Sequence, residues 1–216
     1  MHASEKNFKP RCMIETKLAR AISYVFHPLL MPPYVLFLLL NLNSFLSRSL
    51  PFSYKMTLVG VAFITTVLFP LFLTWMLLRL RIISSVFMTR KEERIYPILS
   101  IAVFYYLTYF LLRGIHISAI FSYYMLGATL LAILSLAVNF YRKISLHMIG
   151  IGGFTGLFLG LSLNFGINLN TEMIAGILLA GIIGFARLKS NSHQPAEIYT
   201  GFLMGVLVMT VLMTLL

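Results

Sequence analysis

What most constrains this chain is where its charges are missing. None of Asp, Glu, Lys or Arg occurs between Arg20 and Arg48, Lys55 and Arg79, Arg94 and Arg113, or Arg113 and Arg142. From Ile144 to Ala186 the sole charge is Glu172. A helix crosses the hydrocarbon of a bilayer in about 20 apolar residues. Each of the first four gaps therefore holds one span, and the fifth holds two that turn within Asn164–Thr171. A last span runs from about Glu197 to Leu216. The expected segments are 22–46, 56–78, 97–113, 117–138, 146–164, 171–186 and 197–216. Pro28, Pro32 and Pro33 kink or split the first, since each removes a backbone donor where no water replaces it. The expected fold is an all-α integral membrane protein, a bundle of six to seven transmembrane helices.

Composition agrees. Of 216 residues 59% are hydrophobic and 11% charged, against about a quarter charged in soluble domains. Residues 1–20 form a polar, basic segment without the apolar core of a removable signal peptide, and 21–216 form one transmembrane domain. Cys12 is the single cysteine, so no disulfide forms within the chain. The net charge of +11 would suggest nucleic acid for a soluble protein, but here no soluble domain is left to bind it. The expected partners are membrane lipids, and nothing in the sequence indicates an oligomeric state.

Alternating spans put the N-terminus and the loops at 79–96, 139–145 and 187–196 on one side. That side holds 14 of the 17 Lys and Arg residues, all but Arg48, Lys55 and Arg113. The positive-inside rule makes it cytoplasmic, in a plasma membrane of the bacterial inner-membrane type. In the late spans Gly152, Gly156 and Gly160, then Gly176, Ala180 and Gly184, form small-residue ladders. Such ladders let helix backbones approach closely in a bilayer, so these residues read as packing.

Polar groups that packing does not need collect on the basic side. They lie in Thr89–Pro97, in Arg142–His147 and in Arg187–Glu197, with His27-Pro28 as a fourth place that suggests no mechanism. His193 and Glu197 stand four apart around the start of the last helix and can share a face. A carboxylate there orients an imidazole and raises its basicity. Arg187 offers a planar fork of donors suited to phosphate oxygens. Glu197 is the one carboxylate beside either late His, so a magnesium site is poorly supported. A zinc site lacks a third ligand, and no cofactor is expected.

These residues resemble a known family, the type 2 phosphatidic acid phosphatase superfamily. Arg187, five residues, His193, three residues and Glu197 are similar to its third motif, Ser-Arg, five residues, His, three residues, Asp. Ile144-Ser145-Leu146-His147 resembles its second motif, Pro-Ser-Gly-His. Arg90 to Pro97 stands where the first falls, a Lys followed after six residues by Arg-Pro. The resemblance covers about residues 85–216. It implies a metal-independent phosphatase acting on a lipid phosphate or diphosphate, of the phosphatidic acid or polyprenyl diphosphate type. His193 would be the nucleophile, oriented by Glu197, and His147 the acid and base. Arg187, Arg94, Lys91, Arg90 and Ser145 would hold the phosphoryl oxygens.

The chain departs from the pattern at several points. Ala186 stands for Ser, Glu197 for Asp, Ile144 and Leu146 for Pro and Gly, and Ile95 for the Pro of the first motif. An alternative reading is a catalytically degenerate protein of the same fold that binds or carries an anionic lipid. A transporter has less support, because His and Arg are confined to span ends.

Overall fold

The computed structural model describes residues 10–42, 50–84, 91–115 and 119–216. Among them every regular element is helical. In chain order these are α1 (Pro10–Val25), α2 (Met31–Asn41), α3 (Phe52–Phe63), α4 (Phe69–Arg79), α5 (Lys91–Arg113), α6 (Ala119–Tyr141), α7 (Leu146–Phe165), α8 (Asn170–Lys189) and α9 (Pro195–Thr214). They make 7 segments long and apolar enough to cross a membrane: Lys17–Asn41, Phe52–Arg79, Glu92–Arg113, Ala119–Tyr141, Leu146–Phe165, Asn170–Lys189 and Pro195–Thr214. The protein is a multi-pass, all-α membrane protein.

The prolines explain where helices start and break. His27 is extended, with φ −63° and ψ 137°, as a residue before proline prefers. Pro28 opens a short 3-10 turn, Pro28–Leu30, that leads into α2. Pro32 and Pro33 fall in the first turn of α2, where backbone N–H groups lack helical partners anyway. Three prolines thus cost one break, not three. The first span begins at Lys17, earlier than its charges suggest, because Lys17 and Arg20 stay exposed on α1 while Ala19 between them is buried. In the second span a π turn, Ile64–Leu68, joins α3 to α4 just ahead of Pro70. Such widened turns occur where the helical hydrogen-bond ladder is interrupted. Thr65 and Thr66 there return their hydroxyls to carbonyls one turn back, and Thr108 Oγ1 donates to Thr65 Oγ1 at 2.7 Å, tying α5 to this span.

The largest helix–helix interface joins α7 and α9, followed by α5 with α6. At the first, glycine fills the contact. A Cβ on Gly152 would meet the Phe202 carbonyl, one on Gly156 the Val206 carbonyl, and one on Gly205 the Ile149 carbonyl. With no hydrophobic force between helices inside a bilayer, such close approach and the van der Waals contact it allows hold spans together. Thr210 adds a hydrogen bond to the Gly156 carbonyl at 3.1 Å. Gly166, left-handed at φ 62°, ends α7 as helix-terminating glycines do. α8 then begins at Asn170, inside the turn expected from the sequence.

Candidate anion site at the basic end of the bundle

The break between α1 and α2, the start of α4, the start of α5, the α6–α7 junction, the end of α8 and the α8–α9 loop converge on one cavity. Its volume is about 660 Å³, within the range of small-molecule sites. His27, Arg94, Lys143, His147, Arg187 and His193 all line it, with Asn139, Asn191 and Ser192 between them.

His193 sits just ahead of α9, whose N-cap is Gln194. Its Nδ1 donates to Glu197 Oε2 at 2.7 Å, since a carboxylate only accepts. The ring lone pair therefore lies on Nε2. The same carboxylate accepts from the Gln194 backbone N–H at 3.3 Å, one half of a capping box. His193 and Glu197 thus meet across a helix N-terminus and not along a helical face, because His193 precedes the first helical turn. The cap holds the carboxylate still, and the carboxylate holds the imidazole. Only 8% of the His193 side chain is exposed. Burial pushes its pKa down to about 4; the Glu197 hydrogen bond opposes this, while Arg187 and Lys143 add to it. His193 is therefore neutral at pH 7, with the Nε2 lone pair unprotonated.

His147 lies in the first turn of α7, and its Nε2 is 3.0 Å from the Ser23 carbonyl. A carbonyl accepts only, so Nε2 carries the proton and Nδ1 is the atom that can gain one. Arg187 reaches the same residue from α8, its Nη1 donating to Ser23 Oγ at 3.4 Å; its Nε is buried and makes no hydrogen bond among the described residues. Lys143 donates to the Ser192 carbonyl, bracing the α8–α9 loop against the α6–α7 junction. Burial lowers the Lys143 pKa, helped by Arg94 and Arg187 and opposed by Glu197.

Arg94 is on the wall, two acidic residues just before it in the chain. Glu92 is exposed, and Glu93 accepts from Ser84 Oγ at 3.0 Å. Ser145 is fully buried and does not line the cavity; its backbone N–H donates to the Glu197 carbonyl at 3.3 Å. The side chain of Ser145 is therefore walled away from the groups it was expected to join. Arg90 lies outside the described residues, and Lys91 is described only as the first backbone position of α5.

Two titratable wall residues, Lys143 and His27, went unselected in the sequence. Lys143 neighbours residues that were selected, and its side of the membrane was the available signal. His27 was noticed without a role. Its ring packs edge-on against His147, centroids 5.6 Å apart at 81°. Among the described residues no group of three His, Cys, Asp or Glu is placed to hold a metal ion.

A narrower apolar chamber adjoins the cavity and shares Pro28, Ile98, Ile101, Ser135 and Leu146 with it. It follows α6 from Ser135 to Tyr124, about 16 Å of helix, into the interior of the bundle. No family model matches the chain, and neither a curated protein nor a solved structure matches it.

Proposed function

We propose that this protein is a phosphatase of lipid phosphates or diphosphates, working through a phosphohistidine at a cavity on the cytoplasmic side of the membrane. One observation carries the reading. Two histidines far apart in sequence line a single cavity with Arg187, Arg94 and Lys143, and one of them is held by a capped carboxylate. Clustered cations suit a phosphoryl group, where positioning and charge stabilisation dominate catalysis. The apolar chamber beside them suits an amphiphile, with its charged group among the cations and its chain among the helices.

In this reading His193 Nε2 attacks phosphorus, forming a P–N bond as the P–O bond to the leaving group breaks. His147, protonated on both nitrogens, gives its Nδ1 proton to the leaving oxygen. Water then attacks phosphorus while His147 Nδ1 takes its proton, and the P–N bond breaks to release phosphate and free His193. Arg187 and Arg94 hold the equatorial oxygens throughout. Glu197 keeps Nδ1 of His193 protonated, so that Nε2 is always the attacking atom.

Purified protein in detergent should release phosphate from phosphatidic acid or a polyprenyl diphosphate with EDTA present, and vanadate should inhibit it. His193→Ala should abolish release; retained activity would remove His193 as nucleophile. The degenerate, lipid-binding reading is favoured by Ser145, whose hydroxyl is shut away from the cavity. It predicts no turnover and lipid phosphate binding weakened by Arg187→Ala.

A further inference from the structure

The break in the first span does more than accommodate proline. We propose that His27 is an anion-binding residue of the cavity, donating its Nε2–H to a phosphoryl oxygen; this rests on the reading of the cavity as a phosphoryl site. His27 is the N-cap of the turn at Pro28–Leu30, and its Nδ1 accepts from the Leu29 backbone N–H at 3.3 Å. Accepting there requires a lone pair on Nδ1, which places the ring proton on Nε2. The cap alone does not call for an imidazole. Asn, Asp and Ser are the preferred caps, because a short side chain reaches the orphan N–H with less freedom lost. Histidine adds what they lack, a second nitrogen that projects beyond the capping contact.

That nitrogen belongs to a ring on the cavity wall, beside the ring of His147. The preceding turn supports the same place. Ser23, four residues earlier, gives its carbonyl to His147 and its hydroxyl oxygen to Arg187, and returns its own proton to the Ala19 carbonyl at 2.9 Å. One turn of α1 and the break after it therefore touch the imidazole at the head of α7 and the guanidinium at the foot of α8. Ser23 sits level with the basic ends of those two spans, and His27 is held at that level by its cap. A neutral N–H donor among cations strengthens anion binding without adding repulsion to Arg187, which an additional charged side chain would do.

The full-length His27→Asn protein separates the two roles, since Asn keeps the cap and loses the reach. We expect an unchanged Tm in detergent, with kcat/KM on phosphatidic acid down roughly ten- to a hundredfold, the worth of one hydrogen bond to a charged group. Vanadate binding, measured by calorimetry, should weaken in parallel. His27→Ala should lose Tm as well. Should Asn disturb the break, His27→Ser caps the same turn and is read in the same way. Wild-type turnover and vanadate affinity in a folded capping variant would overturn the proposal. If the wild-type protein hydrolyses no lipid phosphate, the phosphatase reading fails separately and vanadate binding decides. Weaker binding in His27→Asn then supports the anion role, while equal binding, or none to wild type, overturns it.

Discussion

At the residue scale the site is organised by hydrogen bonds that leave each imidazole one choice. The Glu197 carboxylate takes the Nδ1 proton of His193, and the Ser23 carbonyl takes the Nε2 proton of His147. The two rings are therefore opposite tautomers, one offering Nε2 and the other Nδ1 to the cavity chemistry. The depressed pKa of His193 has a consequence for pH. The folded protein resists protonating this ring until about pH 4, whereas the unfolded chain protonates it near 6.5. Stability from its neutral burial is fully present above 6.5 and is lost as pH falls toward 4. Thermal melts between pH 7 and 4.5 should show Tm falling with acid, less steeply in His193→Gln. A parallel slope in both proteins would show that the ring titrates normally. For the same reason the acid limb of kcat/KM should lie well below 6.5.

At the element scale the bundle depends on glycine where α7 meets α9 and on proline where helices begin. Both were legible in the sequence, the first as four-residue spacing of small residues and the second as Pro clusters in an apolar stretch. The spacing did not reveal which helix each ladder faces. Gly152 and Gly156 abut α9 backbone, whereas Gly184 meets only side chains of Ile198 and Met148 at ordinary contact distance. Gly156→Ala puts a methyl against Val206 carbonyl and Cα atoms that belong to helical backbone and cannot step aside. It should cost about 1–3 kcal/mol and lower Tm in detergent. Gly181→Ala, with nothing within 4 Å of the added Cβ, should leave Tm level or raise it slightly through better helix propensity. Equal melting of the two variants would show that close packing of α7 on α9 is not what holds the bundle.

At the scale of the whole molecule, the sequence told which end of each span a residue occupies but not which way it faces. His147, Arg187 and His193 could be placed on one surface by counting crossings, because charge-free lengths and alternation settle that much. Ser145 was placed there by the same count and is instead turned inward, since its orientation depends on how α7 docks against α9. His27 lay on the correct side from the start, and only the angle of the break at Pro28 shows that it reaches the cavity. The charge bias leads us to propose that the basic end is cytoplasmic, and this orientation is testable. Tyr141→Cys, at a position 85% exposed at the basic end of α6, should be introduced with Cys12→Ser. An impermeant maleimide should label it in lysed cells but not from outside intact ones. Labelling from outside would reverse the topology.

The cavity wall takes His27 from the first span and His193 from the entry to the last, with Ser23 and Glu197 holding wall residues by hydrogen bonds. A nascent chain halted anywhere before the α8–α9 loop has cations and the imidazoles of His27 and His147 at the membrane face, but no capped carboxylate and no third ring held by it. The chemistry proposed here thus comes into being only when the ribosome has finished the seventh crossing. A partly inserted protein, caught during biogenesis or trimmed by a protease at the α8–α9 loop, would leave the surrounding lipids untouched.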